Sequence, residues 1–400
     1  MTVPETSASF FPITALQPIT NAFHEWTAIG LRVDASQAID ASALVRMLAV
    51  TDWFEAVGAL PFLMSLTEAA ALVPEQFAAL PPDQVILCVP RALYADSVAR
   101  QRLQDLQARG FRIVLDCLPQ SGEQCGDVKF LLGLDCSAGV PLGAMDWLQK
   151  AAGPHLACKI ADPDGFHQCR VAGFGWFSGS YPLHPANGMQ RQDGSSRTRL
   201  LKLLALVARD AESRELEALM KQDPALSYQL IKLVNSAAFA HSTQITSFNQ
   251  AITLLGRRQL QRWLQLLLYS RQQDDGENSP LLSRAALRAS LMEAFCRHSG
   301  GSRDQQDRAF MTGIFSLLDV LFAMPLADII KPLNLSGDVA AALLARSGRL
   351  GEMLTLAEYA AGDSAIAASA PVPVSGIDPN TYWHSVAKAC RWAIQVSREA

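Results

Sequence analysis

Between residues 10 and 185 the apolar residues fall in short runs separated by amphipathic stretches. Residues 58–66, 85–89, 111–116 and 156–160 read as strands, and residues 92–109 as a helix stopped by Gly110. Strand and helix in turn at this spacing predict a mostly parallel sheet, open or closed into a barrel. Residues 186–198 are polar and rich in Gly and Ser, which reads as a linker. From about Arg199 the periodicity becomes helical, with Leu201, Leu204, Ala205 and Ala208 on one face. Asp223-Pro224 reads as an N-cap followed by Pro at the first helical position, and Gly256 as the end of a helix begun near Gln250. Residues 380–398 read as a last helix carrying Trp383 and Trp392. The predicted fold class is therefore α/β plus all-α: a mostly parallel sheet, open or closed, over residues 10–188, a linker over 189–198, and a helical domain with a C-terminal extension over 199–400.

Composition narrows the function classes. Half of the 400 residues are apolar, enough for sizeable cores, and the net charge is only −4. No basic stripe is present, so nucleic acid is not among the expected partners. The longest apolar stretch, residues 309–330, contains Asp319 and Pro325 and reads as a buried helix of a bundle rather than a membrane span. The first residues have neither a basic region nor an apolar run, and the expected location is cytoplasmic. Eight cysteines lie far apart without a C-x-x-C pair, which argues for reduced thiols rather than a disulfide framework or a zinc site. Asp162-Pro163-Asp164-Gly165 reads as a turn, and the Gly-rich residues 173–179 as a tight strand entry, matching neither a P-loop nor a dinucleotide fingerprint.

Gln17-Pro18-Ile19 at a strand entry, followed by the alternation above, resembles the EAL domain, the barrel-type phosphodiesterase of cyclic di-GMP signalling. The resemblance implies a TIM-like barrel whose strand ends carry carboxylates for divalent metals, since hard cations prefer oxygen ligands and paired metals activate water. Carried onto this chain, the name-giving Glu falls at Ile29, the metal-binding Asn at Ser65 and the next Glu at Cys88. The paired aspartates become Asp116-Cys117. The lysine is matched by Lys129, with Leu131 in place of the acid two beyond it. The two glutamates of the following segment become Cys158 and Ala161, and the final Gln becomes Ser178. The site is read as degenerate, leaving Arg32, Asp116 and Lys129 as residual ligand-pocket candidates. Cys88, Cys117 and Cys158 stand as an alternative soft-metal set.

In the second half, Leu-Val-Asn-Ser at 233–236, Thr246-Ser247 and Gln-Ala-Ile-Thr-Leu-Leu-Gly at 250–256 resemble the HDOD domain, an all-helical relative of the HD phosphohydrolases. The resemblance implies that Asn235 and Ser236 bond backbone groups at a helix end, that Thr246-Ser247 cap the following helix, and that Gly256 allows a turn. A working HD enzyme carries a His-Asp pair, whose position falls here near Ser316-Leu317, with Asp319 just beyond. The two resemblances together imply a bacterial signalling protein that is not an enzyme, holds no cofactor and acts through a regulatory protein partner or a second copy of itself. The alternative is a sensor that binds cyclic di-GMP without cutting it.

Overall fold

The computed structural model describes residues 11–32, 41–58, 60–66, 77–78, 80–119, 130–151, 153–184, 202, 205–206, 211–221, 235, 248–269, 279–363 and 376–399. Eight strands form one closed barrel in sequence order: β1 (Leu16–Thr20), β2 (Trp26–Leu31), β3 (Phe62–Ser65), β4 (Val85–Val89), β5 (Arg112–Leu115), β6 (Leu131–Asp135), β7 (Leu156–Ile160) and β8 (Trp176–Gly179). β1 runs antiparallel to both neighbours and every other pair is parallel. The carboxyl ends of β2 to β8 and the amino end of β1 therefore share one face, the mouth.

The outer helices of the barrel are α1 (Ala41–Val50), α2 (Trp53–Val57), α3 (Arg91–Ala95), α4 (Ser97–Ala108), α5 (Ala144–Lys150) and α6 (Pro163–Ala172). Two local readings change. The helix expected over 92–109 is two helices, because Asp96 is extended and accepts the Ala99 N–H at 2.7 Å, capping α4. Asp162-Pro163-Asp164-Gly165 is not a free turn but the start of α6, with Asp162 accepting the Gly165 N–H at 2.8 Å and Pro163 in the first turn.

The helical part comprises α7 (Ser213–Lys221), α8 (Phe248–Leu267), α9 (Leu282–His298), α10 (Arg303–Phe315), α11 (Leu318–Phe322), α12 (Leu326–Ile330), α13 (Gly337–Ala345), α14 (Gly348–Ala360) and α15 (Pro379–Glu399). Gly256, at φ 72°, breaks α8 where the sequence placed a helix end, and the helix resumes beyond it. The apolar run 309–330 is not one helix: α10, α11 and α12 divide it, with Ala323 in the left-handed region and Pro325 preceding α12. The buried centre is α9, packed between α10 and α15. Among the described residues no helix is long and apolar enough to cross a membrane. The expected N-cap Asp223-Pro224, Ser236 and Thr246-Ser247 lie outside the described residues.

The two parts share a continuous core. Trp383 of α15 lies against Phe11, Trp53 and Tyr382 with ring centroids 5.5, 6.5 and 5.0 Å apart, and donates its indole N–H to the Pro12 carbonyl at 3.2 Å. The Tyr382 hydroxyl donates to the Thr14 carbonyl at 2.8 Å. On the helical side Tyr382 stacks on Phe295 of α9 at 6.3 Å. The last helix, α15, is thus one element that holds the helical part to the barrel.

Candidate functional site

Alternation along a strand decides which side chains enter the barrel. Ile19, Ala28, Leu63, Ile86, Val114, Leu156 and Trp176 form a closed inner cluster. Two residues nearer the mouth on each strand stand Gln17, Gly30, Ser65, Cys88, Asp116, Cys158 and Ser178. Leu132 and Leu134 pack outward on β6, so Gly133 and Asp135 are that strand's inner positions.

This ring places Ser65, Cys88, Cys158 and Ser178 inward, and corrects other matches. Ile29 is fully buried in the outer core among the helices, so the inner position of β2 is Gly30. Every residue of β2 beyond Thr27 is apolar or Gly, which hid the parity. Leu131 sits at the start of β6 and Asp135 at its mouth end, so Asp135, missed in the sequence, is the acid this strand supplies. A signal was available: an acid closing an apolar run marks a strand's end. Cys117 packs against the outer core, which removes it from the soft-metal set proposed with Cys88 and Cys158. Among the described residues no three His, Cys, Asp or Glu side chains are placed to share a metal ion.

Of the three residual candidates, Asp116 stands just past β5, exposed, with Oδ1 accepting the Arg91 N–H at 3.2 Å. Its partial burial raises the carboxyl above its ordinary range, against hydrogen bonds from the Arg91 and Asp116 backbone. Arg32 follows β2 and is exposed, its N–H donating to the Ala15 carbonyl at 2.8 Å. Lys129 lies outside the described residues.

The chemistry of the ring is mostly neutral. Burial pushes both thiols up, Cys158 to about 12 with the charge of Asp135 adding to the effect, and Cys88 beyond that with Cys158 and Asp116 adding. Ser65 hydrogen-bonds Cys88 and Gln17 hydrogen-bonds Cys158, so both strand ends are occupied by short polar contacts. A protonated thiol is a poor ligand for a hard cation. Asp135 differs: burial works against its charge, but hydrogen bonds from the Ser137 hydroxyl (2.6 Å) and the Lys159 ammonium (2.9 Å) outweigh it and hold the carboxyl at about 2. Asp135 therefore already has a cation, and Lys159 reaches it from a left-handed backbone position at φ 56°.

In the helical part the position of the His-Asp pair falls at the end of α10. Ser316 is buried, and Arg288 of α9 donates to its hydroxyl at 2.8 Å. The same guanidinium bonds Asp363 at 3.0 Å and Glu358 at 3.3 Å. Arg346 adds a second guanidinium on Glu358 at 2.7 Å. Asp363 also pairs with Arg284, whose other nitrogen donates to the Gly179 carbonyl at the end of β8 at 3.0 Å. Arg284 and Arg288 are 6% and 5% exposed and the Asp363 side chain not at all, so this is a desolvated network. A guanidinium supplies the positive charge among these carboxylates. Asp319, two residues from the apparent pair position, keeps Oδ1 buried with no hydrogen-bond partner among the described residues.

The network also ties the bundle to the mouth of the barrel. Gly179 has φ 156°, and a Cβ there would lie 2.1 Å from the Ile160 carbonyl oxygen, so only glycine lets β8 close on β7 and present this carbonyl to Arg284.

Residues 196–328 match the HDOD domain. The chain is 28% identical over 289 residues to the cyclic di-GMP phosphodiesterase CdgJ of Vibrio cholerae serotype O1, covering 70% of this chain and 66% of that protein. It is 33% identical over 139 residues to the uncharacterized protein YuxH of Bacillus subtilis, covering 34% of each. The chain thus spans less than two thirds of the length of either curated relative. Among solved structures it is similar to the Bacillus subtilis YkuI protein, which has an EAL domain and was crystallised with cyclic di-GMP and calcium. That similarity has a TM-score of 0.35 and 14% identity, over 60% of this chain and 71% of that one.

Proposed function

We propose that this chain is a bacterial signal-transduction protein that works by protein–protein contact, with both hydrolase-like sites out of use. The carrying observation is the make-up of the ring at the mouth: Gly30, Ser65, Cys88, Cys158 and Ser178 stand where an EAL-type enzyme would supply metal-binding groups. Of its two carboxylates, Asp135 is engaged by Lys159 and Asp116 by a backbone N–H. Two carboxylates on neighbouring strands fall short of the six or so oxygens that Mg²⁺ or Mn²⁺ takes, unless water supplies most of them. The guanidinium of Arg288 among Ser316, Glu358 and Asp363 supports the same reading for the helical part. The barrel then serves as a docking body, and the HDOD half presents a helical surface to a regulatory protein.

Similarity to a named cyclic di-GMP phosphodiesterase favours a second reading, in which the mouth retains the dinucleotide without cutting it, using Arg32 and the mouth loops. Fold similarity does not carry activity, which resides in the site. One experiment separates the readings: purified chain is incubated with cyclic di-GMP and Mg²⁺ or Mn²⁺, and both linear product and calorimetric binding are followed. The contact reading expects no product and no binding. Binding without product would establish the sensor. Metal-dependent turnover abolished by Asp116→Ala would overturn both.

A further inference from the structure

A cleft of about 290 Å³ opens where the end of α9 meets the first turns of α15, on the face of α15 opposite Trp383. Arg297 and His298 line it from α9, and Asn380, His384 and Lys388 from α15, with hydroxyls from Thr381 and Ser385. The spacing 381, 384, 385 and 388 is one helix face, while Tyr382, Trp383 and Val386 point into the core. Among the described residues no carboxylate lines the cleft. Asp378, at its edge, is committed to the N–H groups of Asn380 (2.9 Å) and Thr381 (3.0 Å) and to the Thr381 hydroxyl (2.7 Å).

Neither Arg297 nor Lys388 has an ion-pair partner among the described residues. This is unlike Arg258, Arg262, Arg284, Arg288, Arg308 and Arg346, all of which are paired with acids. In a chain of net charge −4, an unneutralised group of two cations and two imidazoles around a concavity is a local inversion of sign. Burial and then the neighbouring charges of Arg297, Lys388 and His384 lower the affinity of His298 for its proton, against Asp378.

We propose that this cleft is a binding site for a small phosphate-bearing ligand. Arg297 and Lys388 supply permanent charge, His298 and His384 are switchable donors, and the Asn380 amide is a neutral donor. The volume stands at the lower limit of ordinary ligand sites, which fits a phosphate or diphosphate group with little attached rather than an extended polymer. The site lies on a helix that joins the bundle to the barrel, and it shares no residue with either hydrolase-like centre.

The test uses the full chain with pyrophosphate as probe, followed by calorimetry and by the His298 and His384 imidazole signals in NMR. Saturable binding is expected, stronger at pH 6 than at pH 8 because an anion favours the protonated imidazoles. Arg297→Glu/Lys388→Glu should weaken it at least about 10-fold, and Lys388→Gln alone should weaken it measurably. Lys150→Glu, a charge reversal on α5 of the barrel, should leave it unchanged. All these side chains are exposed, and unaltered circular dichroism checks folding. Absence of saturable binding, equal loss in Lys150→Glu, or full binding by the folded double variant would each overturn the proposal.

Discussion

Arg288→Met is expected to destabilise the folded chain by about 3–5 kcal/mol, since removing one partner of a buried ion pair leaves the other charge uncompensated. The guanidinium touches Ser316, Glu358 and Asp363 while only 5% exposed, and the Asp363 side chain has no exposure. Arg284 and Arg346 keep partial hold of the two acids, which places the loss at the lower end of that range. Arg288→Lys should recover only part of it, because an ammonium cannot bridge three acceptors with the planar geometry of a guanidinium. Urea unfolding measures this. A loss below about 1 kcal/mol, the size of an ordinary surface substitution, would contradict the assignment of Arg288 as the internal cation of the bundle.

Trp383→Ala is expected to cost about 3–5 kcal/mol, the usual range for truncating a fully buried aromatic side chain. It is 1% exposed, and it packs on Phe11 and Trp53 from the barrel side and Tyr382 from its own helix. The indole also donates to the Pro12 carbonyl, which would be left without that partner. Because these contacts join the two parts, the variant should unfold in two calorimetric steps where the parent unfolds in one. A single transition displaced by less than about 1 kcal/mol would show that the junction does not couple barrel and bundle.

Much of the architecture was legible because its signals are local. Val85–Val89 and Leu156–Ile160 match the expected strands residue for residue, the first an uninterrupted apolar run and the second broken only by Lys159. Residues 58–66 shorten to Phe62–Ser65. The last helix begins one residue earlier, at Pro379, and runs one residue further, to Glu399, than the apolar pattern required.

Other features have no local trace. In β2 apolar residues occupy both faces, so Gly30 against Ile29 cannot be decided by alternation. The Arg288–Asp363 contact joins residues 75 apart, and the Arg284–Gly179 bond joins residues 105 apart. A guanidinium carries no mark in sequence of the carboxylate it will meet. The cleft at Arg297 and Lys388 was equally hidden, since it forms only when the ends of two helices 80 residues apart are brought together.

The distinction between an emptied site and a retained one rests on cation binding. Manganese titration of the full chain, followed by electron paramagnetic resonance with cyclic di-GMP absent and then present, measures it directly. The account predicts a spectrum of free aqueous Mn²⁺ at every ratio, unchanged by Asp116→Ala or Asp135→Ala. A stoichiometric bound ion released by either substitution would contradict it.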